Sequence, residues 1–170
     1  MNRTLLARIL TVGLLSFLLG LVACDSKRIS ELEEGVSTEA DVRKLFGQPE
    51  NIWDGPAGSK IFEYNRQPEG ARNYMITIAT DGRMSALRQV LTPDNFARIQ
   101  PGMAMEDVRK ILGKPMKITP YPLKDQTHYD WRWLDGPNTL MIFSAVFDKD
   151  LRVVSTGSGR DPESPELKVK

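Results

Sequence analysis

The sequence predicts an α+β protein made of two tandem ααβββ units, each with two helices packed on a three-stranded antiparallel sheet. Three observations carry that prediction. First, Asp41-Val42-Arg43-Lys44-Leu45-Phe46-Gly47-Gln48-Pro49 recurs as Asp107-Val108-Arg109-Lys110-Ile111-Leu112-Gly113-Lys114-Pro115. Second, Leu32-x-x-Gly35-Val36 upstream finds its counterpart in Ile99-x-x-Gly102-Met103, so the duplication reaches beyond one helix. Third, each motif is followed by alternating apolar and polar residues punctuated by turn sequences, the pattern of half-buried strands. The boundaries follow as a first unit over 24–91 and a second over 92–156. A unit this small is marginal alone, so the two copies are expected to pack together.

Residues 1–23 precede the first unit and read as an export signal. Arg3 and Arg8 lead into an uncharged run whose apolar core spans Val12 to Leu21. A positive start, a short apolar stretch and small residues before a cut are the grammar of a signal peptide. Leu21-Val22-Ala23-Cys24 resembles the bacterial lipobox, in which the cysteine becomes the lipid-modified first residue of the mature chain. That resemblance makes Cys24 a covalent lipid anchor, and no other cofactor is expected. Removing Arg3 and Arg8 leaves 21 basic against 22 acidic residues, so the mature chain has no basic excess to hold it on anionic lipid.

Helix signals open each unit. Thr92-Pro93 offers an N-cap hydroxyl with proline at the first helical position. Phe96 and Ile99 share one face before Gly102 ends the segment, as Gly35 does in the first copy. The next helix opens at Ser37 or Thr38 and puts Val42, Leu45 and Phe46 on one stripe; Val108, Ile111 and Leu112 repeat it, although Ala104 is a poor cap. Gly47 and Gly113 stand where a left-handed helix end is needed, and Pro49 and Pro115 stop each helix two residues later.

Strands follow. Ile61 to Tyr64 is the first of copy one, and Tyr74 to Thr80 turns through Asp81-Gly82 into Met84 to Val90. In copy two, Tyr129, Trp131 and Trp133 share one strand face; Thr139 to Phe147 and Leu151 to Thr156 close the set. The tail over 157–170, with Gly159, Pro162, Pro165 and scattered charge, is expected to be disordered.

These residues together carry a family resemblance. A Gly-Val or Gly-Met step, then Asp-Val-Arg-Lys-x-x-Gly-x-Pro, an aromatic strand and a hairpin, all behind a lipobox, resemble the SmpA/OmlA (BamE-like) family of envelope lipoproteins. The resemblance spans Leu32 to about Val154. A typical BamE-like chain holds one such unit, whereas the tandem arrangement is similar to that of the β-lactamase-inhibitory proteins. The resemblance implies a periplasm-facing lipoprotein that binds the outer-membrane β-barrel assembly machinery or otherwise supports the envelope. The alternative it implies is a module that sequesters a secreted or periplasmic enzyme on a concave tandem sheet. Family membership points to the outer membrane, while Asp25 directly after Cys24 resembles an inner-membrane retention signal.

Composition narrows the chemistry. A net charge of +1 over 170 residues argues against a nucleic-acid partner bound by bulk charge. One cysteine excludes an internal disulfide, and one histidine excludes a two-histidine metal site. His128 alternates with Asp130 and Arg132 on the polar side of its strand and reads as a solvated residue, and Asp148-Lys149-Asp150 reads as a hairpin turn. Neither catalysis nor a bound metal is expected. The partner surface expected here is aromatic: Phe62 and Tyr64 in copy one with Tyr129, Trp131 and Trp133 in copy two, together with open strand edges.

Overall fold

Two four-stranded antiparallel sheets carry the described part of the chain, residues 24–164 of a computed structural model. The signal segment 1–23 and residues 165–170 lie outside the described residues, as do the side chains of 24–26. No helix among the described residues is long and apolar enough to cross a membrane.

The first unit runs α1 (Cys24–Ser30), α2 (Glu39–Phe46), β1 (Asn51–Asp54), β2 (Lys60–Asn65), β3 (Asn73–Ile78) and β4 (Met84–Gln89). The second runs α3 (Pro93–Ala97), α4 (Met105–Leu112), β5 (Lys117–Tyr121), β6 (Gln126–Asp135), β7 (Thr139–Phe147) and β8 (Val153–Arg160). Strand order is β1-β2-β3-β4 in sheet 1 and β5-β6-β7-β8 in sheet 2. Each unit is therefore ααββββ, one strand more than the expected ααβββ. The extra strand, β1 or β5, begins just after the Gly-x-Pro corner. It escapes a reading of periodicity because β1 has four residues and β5 contains Pro120, which fits only an edge strand. The expected disordered tail is also too long by at least four residues. Gly157 to Arg160 pair with Ser144 to Met141 as the end of β8, because backbone pairing to a neighbouring strand needs no apolar side chain.

The duplication holds at the level of single hydrogen bonds. Glu39 N–H donates to Gly82 O and Met105 N–H to Leu151 O, both at 2.9 Å, tying each main helix to its β3–β4 or β7–β8 turn. Glu50 N–H donates to Glu63 O and Met116 N–H to Asp130 O, both at 2.8 Å. Tyr64 hydroxyl donates to Gly47 O at 3.0 Å and Trp131 Nε1–H to Gly113 O at 2.9 Å. An aromatic polar tip thus caps the same helix-end carbonyl in both units, while its ring fills the core.

The aromatic strand faces are core, not surface. Phe62, Tyr64, Trp131 and Trp133 are all buried, and Tyr129 packs half-buried against the second core. Phe46 tilts against Tyr64 with ring centroids 5.2 Å apart, and Phe96 stacks on Phe143 at 4.3 Å. Burying such rings contributes about 1.5–3 kcal/mol each, which an exposed sheet face would forfeit. The partner surface expected from these five residues is corrected accordingly: their side is taken by α2 and by the α3–α4 pair.

The helix ends also differ from the expected left-handed turn. Gly47 has φ 83°, ψ −158° and Gly113 φ 75°, ψ −169°. That region is open in practice to glycine alone. It swings the chain out of the helix into the added strand, with Pro49 and Pro115 fixing the step. Gly35 and Gly102 hold positive φ as well. Thr38 forms a full capping box with Asp41, whereas Ala104 supplies no side-chain cap.

Two outcomes follow for stability. Any side chain at Gly47 or Gly113 is strained by its backbone, but an added Cβ meets open space at Gly47 and the Asn73 amide nitrogen at 3.0 Å at Gly113. Gly47→Ala is expected to cost about 1–3 kcal/mol from the backbone alone, and Gly113→Ala clearly more; thermal melts of the two variants check the order. Burial also pushes the Tyr64 phenol up to about 12, above the ordinary value of about 10. The fold thus favours the neutral phenol. Its stabilisation is intact below about pH 10 and is lost as pH rises through about 12. Near-ultraviolet circular dichroism during alkaline titration should show tertiary structure lost over that window, and Tyr64→Phe should shift it upward.

Candidate functional site

The contact between the two units defines where a partner surface lies. Sheet 1 is covered on its inner face and, around Glu63 and Asn73, on its outer face. Its inner face packs on α2, and its outer face receives the end of α4 from the second unit. Glu63, fully buried, points to that outer face and gathers donors from both units. Lys114 N–H donates to its Oε1 at 2.8 Å, Arg109 Nη2 lies 3.4 Å from the same oxygen, and Trp53 Nε1–H donates to Oε2 at 3.1 Å. Asn73, also fully buried, donates its amide to Leu112 O at 2.8 Å and Lys114 O at 3.0 Å, so the last carbonyl of α4 and one just beyond it are satisfied from the neighbouring unit. At the rim, Lys114 Nζ pairs with Glu50 at 2.6 Å and Lys110 sits 5.6 Å over the Trp53 ring.

A second seam runs beside the first. β5 pairs with β6 only as far as Asp130, leaving the next stretch of β6 with an open side. Gln67 fills it as a strand would: its Nε2 donates to Arg132 O at 2.7 Å and its Oε1 accepts from Arg132 N–H at 3.3 Å. Arg132 then donates to Pro68 O at 2.9 Å and pairs with buried Asp161 at 2.6 Å.

The corresponding face of sheet 2 has no such cover. The paired hydrogen bonds to Glu63 O and Asp130 O place Asp130 at the position of Glu63, and the strand register places Ser144 at that of Met75. Asp130 is only half-buried. Ser144 hydroxyl donates to its Oδ1 at 2.6 Å, and among the described residues no donor reaches Oδ2. Around it lie Lys117, His128, Arg132, Ile142, Gly157 and Gly159, lining an open recess of about 750 Å³ walled at one end by Asp161 to Glu163. Gly157 and Gly159 leave a shelf without side chains, with open space where a Cβ would stand, so that another backbone can approach closely. His128 lies against the Tyr121 ring with centroids 4.4 Å apart.

Only part of this was visible beforehand. His128, Asp130 and Arg132 do share the polar side of β6, but the recess needs Ile142, Ser144, Gly157 and Gly159 from two further strands. The carboxylate of Glu63 sits where alternation predicts an ordinary solvated residue, so nothing in the sequence marks it as an interface group. Asp148 does form a hairpin turn, its Oδ1 accepting from Asp150 N–H and Arg152 N–H, both at 2.9 Å. Among the described residues, no three histidine, cysteine or carboxylate side chains converge as a metal site. Cys24 opens α1, its side chain outside the described set.

No family profile and no curated protein matches the chain. Two solved structures are similar in part. A DUF4309 family protein (YjgB) from Bacillus subtilis is 20% identical, the alignment covering 76% of this chain and 82% of that one at a TM-score of 0.29. A Streptococcus mutans protein named a putative beta-lactamase inhibitor protein is 12% identical over 72% of this chain and 82% of that one, at a TM-score of 0.31. Overlaps this loose transfer neither fold nor function.

The Glu63 contact is open to direct test. Glu63→Ala leaves the Lys114 N–H, the Trp53 indole and Arg109 short of an acceptor and is expected to cost about 3 kcal/mol or more. Denaturant unfolding should then lose its single sharp transition, because the contact it removes is a buried one among those that couple the units.

Proposed function

We propose that this chain is a lipid-anchored, periplasm-facing, non-enzymatic module that binds a protein partner on the outer face of sheet 2. The observation that supports the reading most is the equivalence of Asp130 with Glu63. One chain carries the same sheet face twice; in the first unit it is a protein-binding surface filled by the second unit, and in the second it lies open. Cys24 would tether the module, and the outer membrane is the placement the family resemblance implies.

Of the two uses the sequence suggests, this geometry favours capture of a folded secreted or periplasmic protein over service to barrel assembly. The aromatic faces expected to meet a partner in either use are inside the cores. What remains open is a recess of set shape with fixed polar groups, suited to a preformed surface.

A photo-crosslinking residue placed at His128 or Gly157 in living cells should give a discrete protein adduct, and one at Thr80, on the exposed β3–β4 turn, should not. Adding Cys24→Ser should move the adduct from the membrane to the soluble fraction. Equal labelling from Thr80, or none from the recess, would overturn the binding face; an adduct with a barrel-assembly subunit would restore the other use.

A further inference from the structure

The intrachain contact has two complementary halves, and each half occurs a second time on the molecule without its partner. The donor half is the corner at the end of α4, with Arg109, Lys110, Gly113 and Lys114. Its twin at the end of α2 is Arg43, Lys44, Gly47 and Gln48. The two glycines share one backbone shape, with φ of 75° and 83° and ψ of −169° and −158°. Their surroundings differ: Gly113 and Pro115 are buried, whereas Gly47 and Gln48 are exposed. The acceptor half is the outer face of sheet 1 around Glu63, and its twin is the recess around Asp130.

We infer that the recess of one chain accepts the α2 corner of a second copy, with Gln48 N–H donating to Asp130 Oδ2 as Lys114 N–H donates to Glu63. The inference rests on the recess being a protein-binding face, as proposed above, and names its occupant. Arg43 holds the place of Arg109, which lies 3.4 Å from Glu63 Oε1, so its guanidinium comes toward the Asp130 carboxylate. The contact joins two different surfaces, so a third copy can follow the second and association runs head to tail. It is weaker than the intrachain contact, because Ile142 stands where Asn73 makes two hydrogen bonds and Thr119 stands where Trp53 donates to Glu63. It therefore suits chains held at high density on a membrane better than dilute ones.

The test uses full-length protein in its native membrane and a short thiol-to-thiol crosslinker. Gln48 and Met116 occupy the places of Lys114 and Glu50, which pair across the intrachain contact. The Gln48→Cys, Met116→Cys double variant should give a ladder of multimers. Either single variant should stay at the level of wild type, in which the lipid proposed on Cys24 leaves no free thiol. A mixture of the two singles should give dimers only. Asp130→Asn should weaken the ladder several-fold, and Asp130→Lys should abolish it. Absence of the ladder, dimers from one single variant alone, or a ladder indifferent to both Asp130 changes would overturn the inference. An adduct of the recess with a different protein, without any ladder, would overturn self-docking and leave the proposed binding face standing.

Discussion

One buried carboxylate holds the architecture in place. Glu63 has no solvent exposure, and an ionised group there is tolerable only if its lone pairs are met. Its donors come from β1 and from the end of α4 in the second unit, so the carboxylate is satisfied only when the two halves are docked in one geometry. An apolar contact of the same area would tolerate sliding; this one does not. The arrangement of the two sheets, and with it the exposure of the second outer face, follows from that requirement.

The glycine corners serve the same end. A helix finishing in the usual left-handed turn would send the chain elsewhere, and the strand added after each corner would not reach the sheet edge. The extended backbone with positive φ at Gly113 also presents Lys114 N–H and the Leu112 and Lys114 carbonyls to Glu63 and Asn73. Backbone conformation at one residue thereby supplies both the sheet edge and the interface. At Gly47 the same corner forms, capped by the Tyr64 hydroxyl and left exposed.

Duplication has thus produced unequal halves. Similar helix ends and equivalent sheet faces become different surfaces because only one of each pair meets at the junction between the two units. Substitution then sharpened the difference: Ser144 takes the place of buried Met75, and Gly157 and Gly159 take the places of Arg88 and Val90. An exposed face must stay soluble, and the polar groups at the recess do that. Function, on the reading proposed above, resides in the unit whose outer face is not consumed by folding.

The sequence by itself determined the repeat, the two principal helices with their glycine and proline ends, the core stripe Val42 and Phe46 with its copy Val108 and Leu112, and the hairpins. All of these rest on local conformation or on periodicity, which are properties of a few consecutive residues. It could not determine whether Trp131 and Trp133 face a helix or a partner, since alternation says that a face is apolar without saying what covers it. Nor could it separate Glu63 from Asp130, two acidic residues at equivalent positions on polar strand faces. Only the docking of one unit on the other buried the first and left the second open, because contact across about fifty residues of chain is set by three-dimensional shape and not by local pattern.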